Sequence, residues 1–233
     1  MAGAGGSQPG FDEVVLGRRS IRGFKPDAVP RGLIREVLEI AMRAPSSHNT
    51  QPWNFYVVAG KPLDHIRAGN TERNLAGVPD SREFRVHNTV DAAHRERQIE
   101  VAKQIFGVMG IERHDQEKRQ DWVLRGFRQF DAPVSIVVTY DRTALGGDIA
   151  PFDCGAVTNA LVNAAWSRGL GCVINSQGIM QSPVVREYAG IADDQVIMIC
   201  IAMGFPDAAF PANAVVSNRK SVDEAVVFVG FDD

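Results

Sequence analysis

The sequence predicts an α+β protein, and three observations carry that prediction. Two stretches repeat apolar residues at helical spacing, Arg31 to Arg43 and Asp153 to Arg168. Several short apolar runs have strand character, at Trp53 to Ala59, Val134 to Tyr140, Cys172 to Ile174, Val196 to Met203 and Val226 to Val229. These helices and strands do not alternate strictly, which argues against a doubly wound parallel sheet.

The elements follow in order. Residues 1–10 are rich in Gly, Ala and Ser and read as a flexible lead-in. A short helix is expected over Phe11 to Leu16, ending before Gly17-Arg18-Arg19-Ser20. Leu33, Ile34, Val37, Leu38 and Ala41 make one face of the next helix; Pro30 suits its start and Pro45 its end. A polar loop, Ala44 to Pro52, leads into a strand with Trp53, Phe55 and Val57 on one face. Residues 61–131 are charge-rich, with helical pieces at Ala92 to Met109 and Asp115 to Arg128. Ile99, Ala102, Phe106 and Met109 form a stripe there that reads as core, dimer seam or substrate lid. Val134 to Tyr140 is apolar enough for a central strand. The helix from Asp153 buries Val157, Ala160, Leu161, Ala164 and Ala165, and Gly169 stops it. Ser182 and Pro183 suit the cap and first turn of a later helix. Residues 11–233 are taken as one domain.

Totals exclude several function classes. The chain has 233 residues, 45% hydrophobic and 23% charged, with a net charge of -3. That balance disfavours nucleic acid as a partner. No apolar run reaches the length of a membrane span, and a cytoplasmic location follows by default. Cys154, Cys172 and Cys200 lie in apolar stretches without a C-x-x-C pair, as expected of buried thiols in a reducing compartment. There is no dinucleotide or P-loop glycine pattern, no G-x-S-x-G elbow and no H-E-x-x-H. No metal site is expected, and Asp91 with His94 reads as a surface contact.

Four segments could carry chemistry. Arg18-Arg19-Ser20-Ile21-Arg22 places three guanidiniums and a hydroxyl within five residues. This is either a phosphate cradle, since forked donors match phosphate oxygens, or a solvated basic turn. Ser46, Ser47, Asn49 and Gln51 sit in a loop pinned by Pro45 and Pro52. Amides there could pair with a planar heterocycle, or simply brace a helix-to-strand connection. Asn175-Ser176-Gln177-Gly178 is a turn whose backbone could approach a ligand closely, or an ordinary loop. Arg219 stands alone near the C-terminus.

Taken together, R-R-S-x-R (Arg18 to Arg22), P-S-x-x-N-x-Q-P-W (Pro45 to Trp53), the stretch Asp153 to Gly171, and Arg219 before Asp223-Glu224 resemble the FMN-dependent nitroreductase family. The Phe228 to Phe231 ending looks like the branch of nitrobenzoate and nitroaniline-herbicide reductases. The resemblance implies a mostly antiparallel sheet flanked by helices in an intertwined homodimer, with FMN bound at each subunit interface. Arg18, Arg19, Ser20 and Arg22 would hold the FMN phosphate, ribityl chain and pyrimidine edge, with Arg219 joining at the phosphate. Pro45, Ser46 and Asn49 would reach the flavin from the other subunit. Gln177 and Gly178 would line the ring, with a backbone N–H near its N5. Many relatives have Pro and Glu where this chain has Asn175 and Gln177, and some have Lys where it has Ser217. The implied activity is ping-pong: NADPH or NADH donates hydride, then a nitroaromatic is reduced to nitroso and hydroxylamine products. The flavin carries this chemistry, so no catalytic side chain is expected. Enone reductases, reductive dehalogenases and flavin-fragmenting enzymes share the scaffold, and a non-catalytic flavin carrier or sensor is the alternative of another class. A generic phosphate-ligand module would be colourless.

Overall fold

The computed structural model describes residues 9–84, 91–143 and 148–231. Most of the lead-in at 1–10, and part of the 61–131 stretch, lie outside the described residues.

The sheet has four strands: β1 (Trp53–Ala59), β2 (Val134–Asp141), β3 (Gly171–Asn175) and β4 (Gln195–Gly204). Their order is β1-β2-β4-β3, and every pairing is antiparallel. Residues Val134 to Thr139 of β2 are all buried, because helices cover both faces of the sheet. The period of two along the strands divides the core. Ile136, Val138, Ile201 and Met203 point to one layer, against α2 (Arg31–Ala41) and α6 (Ile149–Trp166). Val137, Ile197 and Cys200 point to the other, where Leu63 and Ile66 of α3 (Gly60–Leu75) and Val185 of α7 (Ser182–Ala189) meet them. Trp53 and Phe55 of β1 join the first layer, whereas Val57 stays 44% exposed.

Around these layers run α1 (Phe11–Gly17), α4 (Ala92–Val108), α5 (Gln116–Phe127) and the short α8 (Val222–Ala225). Gly169 ends α6 as expected, at φ +74, a left-handed angle that glycine adopts without strain. The three cysteines are free and buried. Asp91 caps α4, and its carboxylate accepts from the His94 backbone N–H at 2.9 Å in an exposed contact. Among the described residues no helix is long and apolar enough to cross a membrane.

Five expectations need correction. The strand at Val226 to Val229 is absent: the segment has no regular pairing, and Val227 and Val229 are 86% and 83% exposed. A strand requires a neighbour, and among the described residues none pairs with this segment. The stretch after β1 is a full helix, α3, which lacked a readable stripe because its inner face is only Leu63, Ile66 and Asn70. The α4 stripe is displaced: Ile99 is 44% exposed, and the packed residues are Val101, Ile105, Phe106 and Met109, against Ala212 and Val215. Helix α6 starts at Ile149 rather than Asp153. Ser182 is the first residue of α7 rather than its cap, and its hydroxyl donates to Ile179 O at 3.1 Å.

Candidate functional site

The basic N-terminal segment lies along the outer edge of β3. Ser20 bridges Cys172, and the Ile21 N–H donates to Cys172 O at 2.9 Å. Chain direction and a buried Ile21 thus set the register of its neighbours. Arg18 follows α1, and Arg19 places its guanidinium carbon 5.4 Å from the Trp166 ring centre. Arg19 Nε donates to Asn213 O at 2.7 Å.

Asn213 holds this segment in place. Its Oδ1 accepts from the Arg22 and Gly23 N–H groups at 2.7 and 3.1 Å. Its Nδ2 donates to Gly23 O at 2.7 Å and Asp207 O at 2.9 Å. No motif marked Asn213; its partners are up to 194 residues away in sequence.

The electrostatics of this cluster suit an anionic ligand. Burial lowers the Arg18 pKa from the ordinary arginine value, and the nearby Arg219 guanidinium lowers it further. Burial alone lowers that of Arg22. Among the described residues, none of Arg18, Arg19, Arg22 and Arg219 pairs with a carboxylate. Neighbouring cations such as Arg125 and Arg128 do, at 3.7 and 3.3 Å from Asp131. Like charges gathered and partly desolvated cost free energy unless a ligand balances them. Arg219 itself is exposed, and its Nη1 donates to Ser217 Oγ at 2.8 Å and to Ser217 O at 3.0 Å.

The turn after β3 lies close by, in line with the same strand. Gln177 is half-buried, and its Nε2 reaches Val123 O of α5 at 3.5 Å. Gly178 is buried; a Cβ there would stand 2.6 Å from Cys200 Sγ and 2.7 Å from Gln129 Cγ. The N–H groups of both residues donate to Asn175 Oδ1, at 2.9 and 3.3 Å.

The Pro45 to Pro52 loop is elsewhere. The Ser47 N–H donates to the buried Asp153 carboxylate at 3.0 Å, near the start of α6. Ser46 Oγ accepts from the Gln51 N–H at 3.0 Å. Gln51 Nε2 donates to both Asn49 O and Asn49 Oδ1 at 3.3 Å. His48, Asn49 and Gln51 have φ of 48, 58 and 46, a left-handed region that non-glycine residues enter at a cost of about 1 kcal/mol or more each. Such strain persists where the surroundings enforce it. Asp153 and Trp166, which hold the loop and Arg19 respectively, are thirteen residues apart on α6, so about 20 Å separates the two ends. One chain therefore brings together Arg18, Arg19, Ser20, Arg22, Gln177, Gly178 and Arg219. It does not bring Pro45, Ser46 and Asn49 to them.

An antiparallel sheet sheathed by helices, with a cluster of arginines at its β3 edge, defines the class: an α+β protein of two helical layers around one sheet. The chain belongs to the nitroreductase family, whose model matches residues 15–205. It is 32% identical to the 4-nitrobenzoate reductase of Nocardioides sp. (strain LMS-CY), with 96% of this chain and 91% of that protein covered. It is 31% identical to the nitrobenzene nitroreductase of Ectopseudomonas oleovorans, with 96% and 98% covered. Among solved structures, the FMN and NADPH-dependent nitroreductase NfnB from Sphigopyxis sp. strain HMH superposes with a TM-score of 0.89 at 27% identity, covering 94% of this chain and 99% of that one.

Proposed function

We propose that this chain is an FMN-dependent NAD(P)H oxidoreductase that reduces nitroaromatic compounds as a homodimer. The observation that carries the reading is the group of Arg18, Arg19 and Arg22 at the β3 edge with Arg219 beside Arg18, which pair with no carboxylate among the described residues, joined with family membership. The donor set fits FMN. Arg18 and Arg219 would flank a dianionic phosphate, Ser20 would add a neutral donor, and Arg19 and Arg22 would reach the ribityl chain and the pyrimidine edge. FMN supplies the hydride acceptance from NADPH or NADH and the paired-electron delivery to a nitro group. The chain orients that ring, excludes water from its buried side and places cations where negative charge develops on reduction.

The dimer is supported by two features. The loop of Pro45, Ser46 and Asn49 sits about 20 Å along α6 from Arg19, so a second copy is needed for it to reach the same ligand. The exposed Val227, Phe228, Val229 and Phe231 form an apolar stretch that solvent disfavours. A groove of about 670 Å³ between α2 and the open edge of β1, lined by Ile34, Leu38, Phe55 and Val57, offers a surface for it. Strand pairing there would restore the expected strand at Val226 to Val229.

The test is spectroscopic. Protein purified with FMN should be yellow and dimeric, bleach with NADPH and regain colour with 4-nitrobenzoate. A monomer that stays colourless after FMN is added refutes the reading; a yellow dimer whose flavin ignores NADPH is a carrier.

A further inference from the structure

The turn after β3 carries a hydrogen-bond network that the flavin reading does not assign. Asn175 is 4% exposed at the end of β3, and its amide works in two directions. Oδ1 accepts from the Gln177 and Gly178 N–H groups, while Nδ2 donates to Gly126 O at 2.7 Å. Gly126 is the penultimate residue of α5. Its carbonyl is one of the last four of the helix, which no later helical N–H can meet with regular geometry.

The two elements touch closely. A Cβ on Gly126 would lie 1.9 Å from Gln177 Oε1, so a side chain there would displace the Gln177 amide from its place against α5. On its other side the turn is tied to α3, where Asn70 Nδ2 donates to Gly178 O at 2.7 Å. The backbone of the turn is therefore oriented by α3 and α5. Only a side chain with donor and acceptor on one short stem does both jobs of Asn175. Aspartate keeps the acceptor and loses the donor; alanine loses both.

We propose that Asn175 is a positioning residue: its amide holds the Gln177 and Gly178 N–H groups and locks this turn to the C-terminal end of α5. The orientation that the turn presents to the ligand is thereby set by the helix that flanks it. This rests on the flavin reading only for the identity of that ligand.

The test compares Asn175→Asp and Asn175→Ala in two states. In flavin-free protein, amide hydrogen exchange followed by NMR should stay near wild type at Gln177 and Gly178 in Asn175→Asp. In Asn175→Ala it should quicken about tenfold there. Exchange in the last turn of α5 should quicken in both variants. In FMN-loaded protein, both variants should keep FMN affinity within about threefold. Hydride uptake from NADPH should slow at least about tenfold in kcat with little change in KM. In Asn175→Asp the flavin midpoint potential should also move to more negative values, since a buried carboxylate disfavours added negative charge. Wild-type exchange at Gln177, Gly178 and the α5 end in both variants overturns the proposal, and so do an unchanged potential and kcat. If wild-type protein takes up no FMN, the flavin reading falls, and the exchange pattern alone decides whether Asn175 holds the turn.

Discussion

Replacing Asn213 with alanine should destabilise the protein and loosen the basic segment together. The side chain is 5% exposed and makes four hydrogen bonds, two accepted from Arg22 and Gly23 and two donated to Gly23 and Asp207. Alanine leaves four backbone groups without that partner, two of them on the buried Gly23. At about 1 kcal/mol net for each bond, the loss is about 4 kcal/mol. That is a large share of the roughly 5–15 kcal/mol that holds a typical domain folded. For a chain of this size each kcal/mol moves Tm by about 2–4 °C, so Tm should fall by about 8–16 °C. The assay is thermal unfolding followed by circular dichroism, paired with FMN titration by fluorescence quenching. FMN affinity should fall as well, because Arg19 and Arg22 are seated through Asn213. A Tm decrease under about 3 °C would show that the 18–23 segment is held by something other than Asn213.

Further outcomes follow from the same geometry. Arg19→Ala removes one charge-assisted contact and should weaken FMN binding by about 1.5–3 kcal/mol, about 13- to 160-fold, with the far-UV circular dichroism unchanged; unaltered flavin retention removes Arg19 from the site. Gly126→Ala should cost no more than about 1 kcal/mol, because its Cβ would meet only the mobile amide end of Gln177, with Oε1 at 1.9 Å, and displace it from Val123 O. Adding Gln177→Ala should recover much of that loss in a double-mutant cycle, and strictly additive costs would disprove the contact. Burial raises the Cys154 and Cys200 thiols to about 12 from an ordinary value near 9, and raises Cys172 as well. The three should resist a thiol reagent at pH 8 until the protein unfolds. The unfolded thiols ionise first as pH climbs, so their contribution to stability is complete below about pH 8 and declines through about pH 9–12; a denaturation midpoint that does not fall between pH 8 and pH 10 contradicts this.

The sequence by itself determined the parts whose logic is local. Helix α2 and most of α6 were readable because their buried residues recur within one or two turns. Strand β2 was readable because Ile136, Val137 and Val138 make an unbroken run of β-branched apolar residues, and the Arg18 to Arg22 cluster because five consecutive residues hold its donors. Family motifs spread over the chain then supplied the class. Tertiary structure decided what depends on distant partners. Asn213 meets residues about 190 positions away, and Asp153 meets Ser47 across 106. Helix α3 shows no stripe, since an Asn and the close approach of Gly69 to Val184 do the packing that leucines do elsewhere. The Val226 to Val229 run has strand composition but pairs with no strand among the described residues. Periodicity records which face of an element is buried. The topology of the chain alone determines which surface buries it, and whether that surface belongs to the same copy.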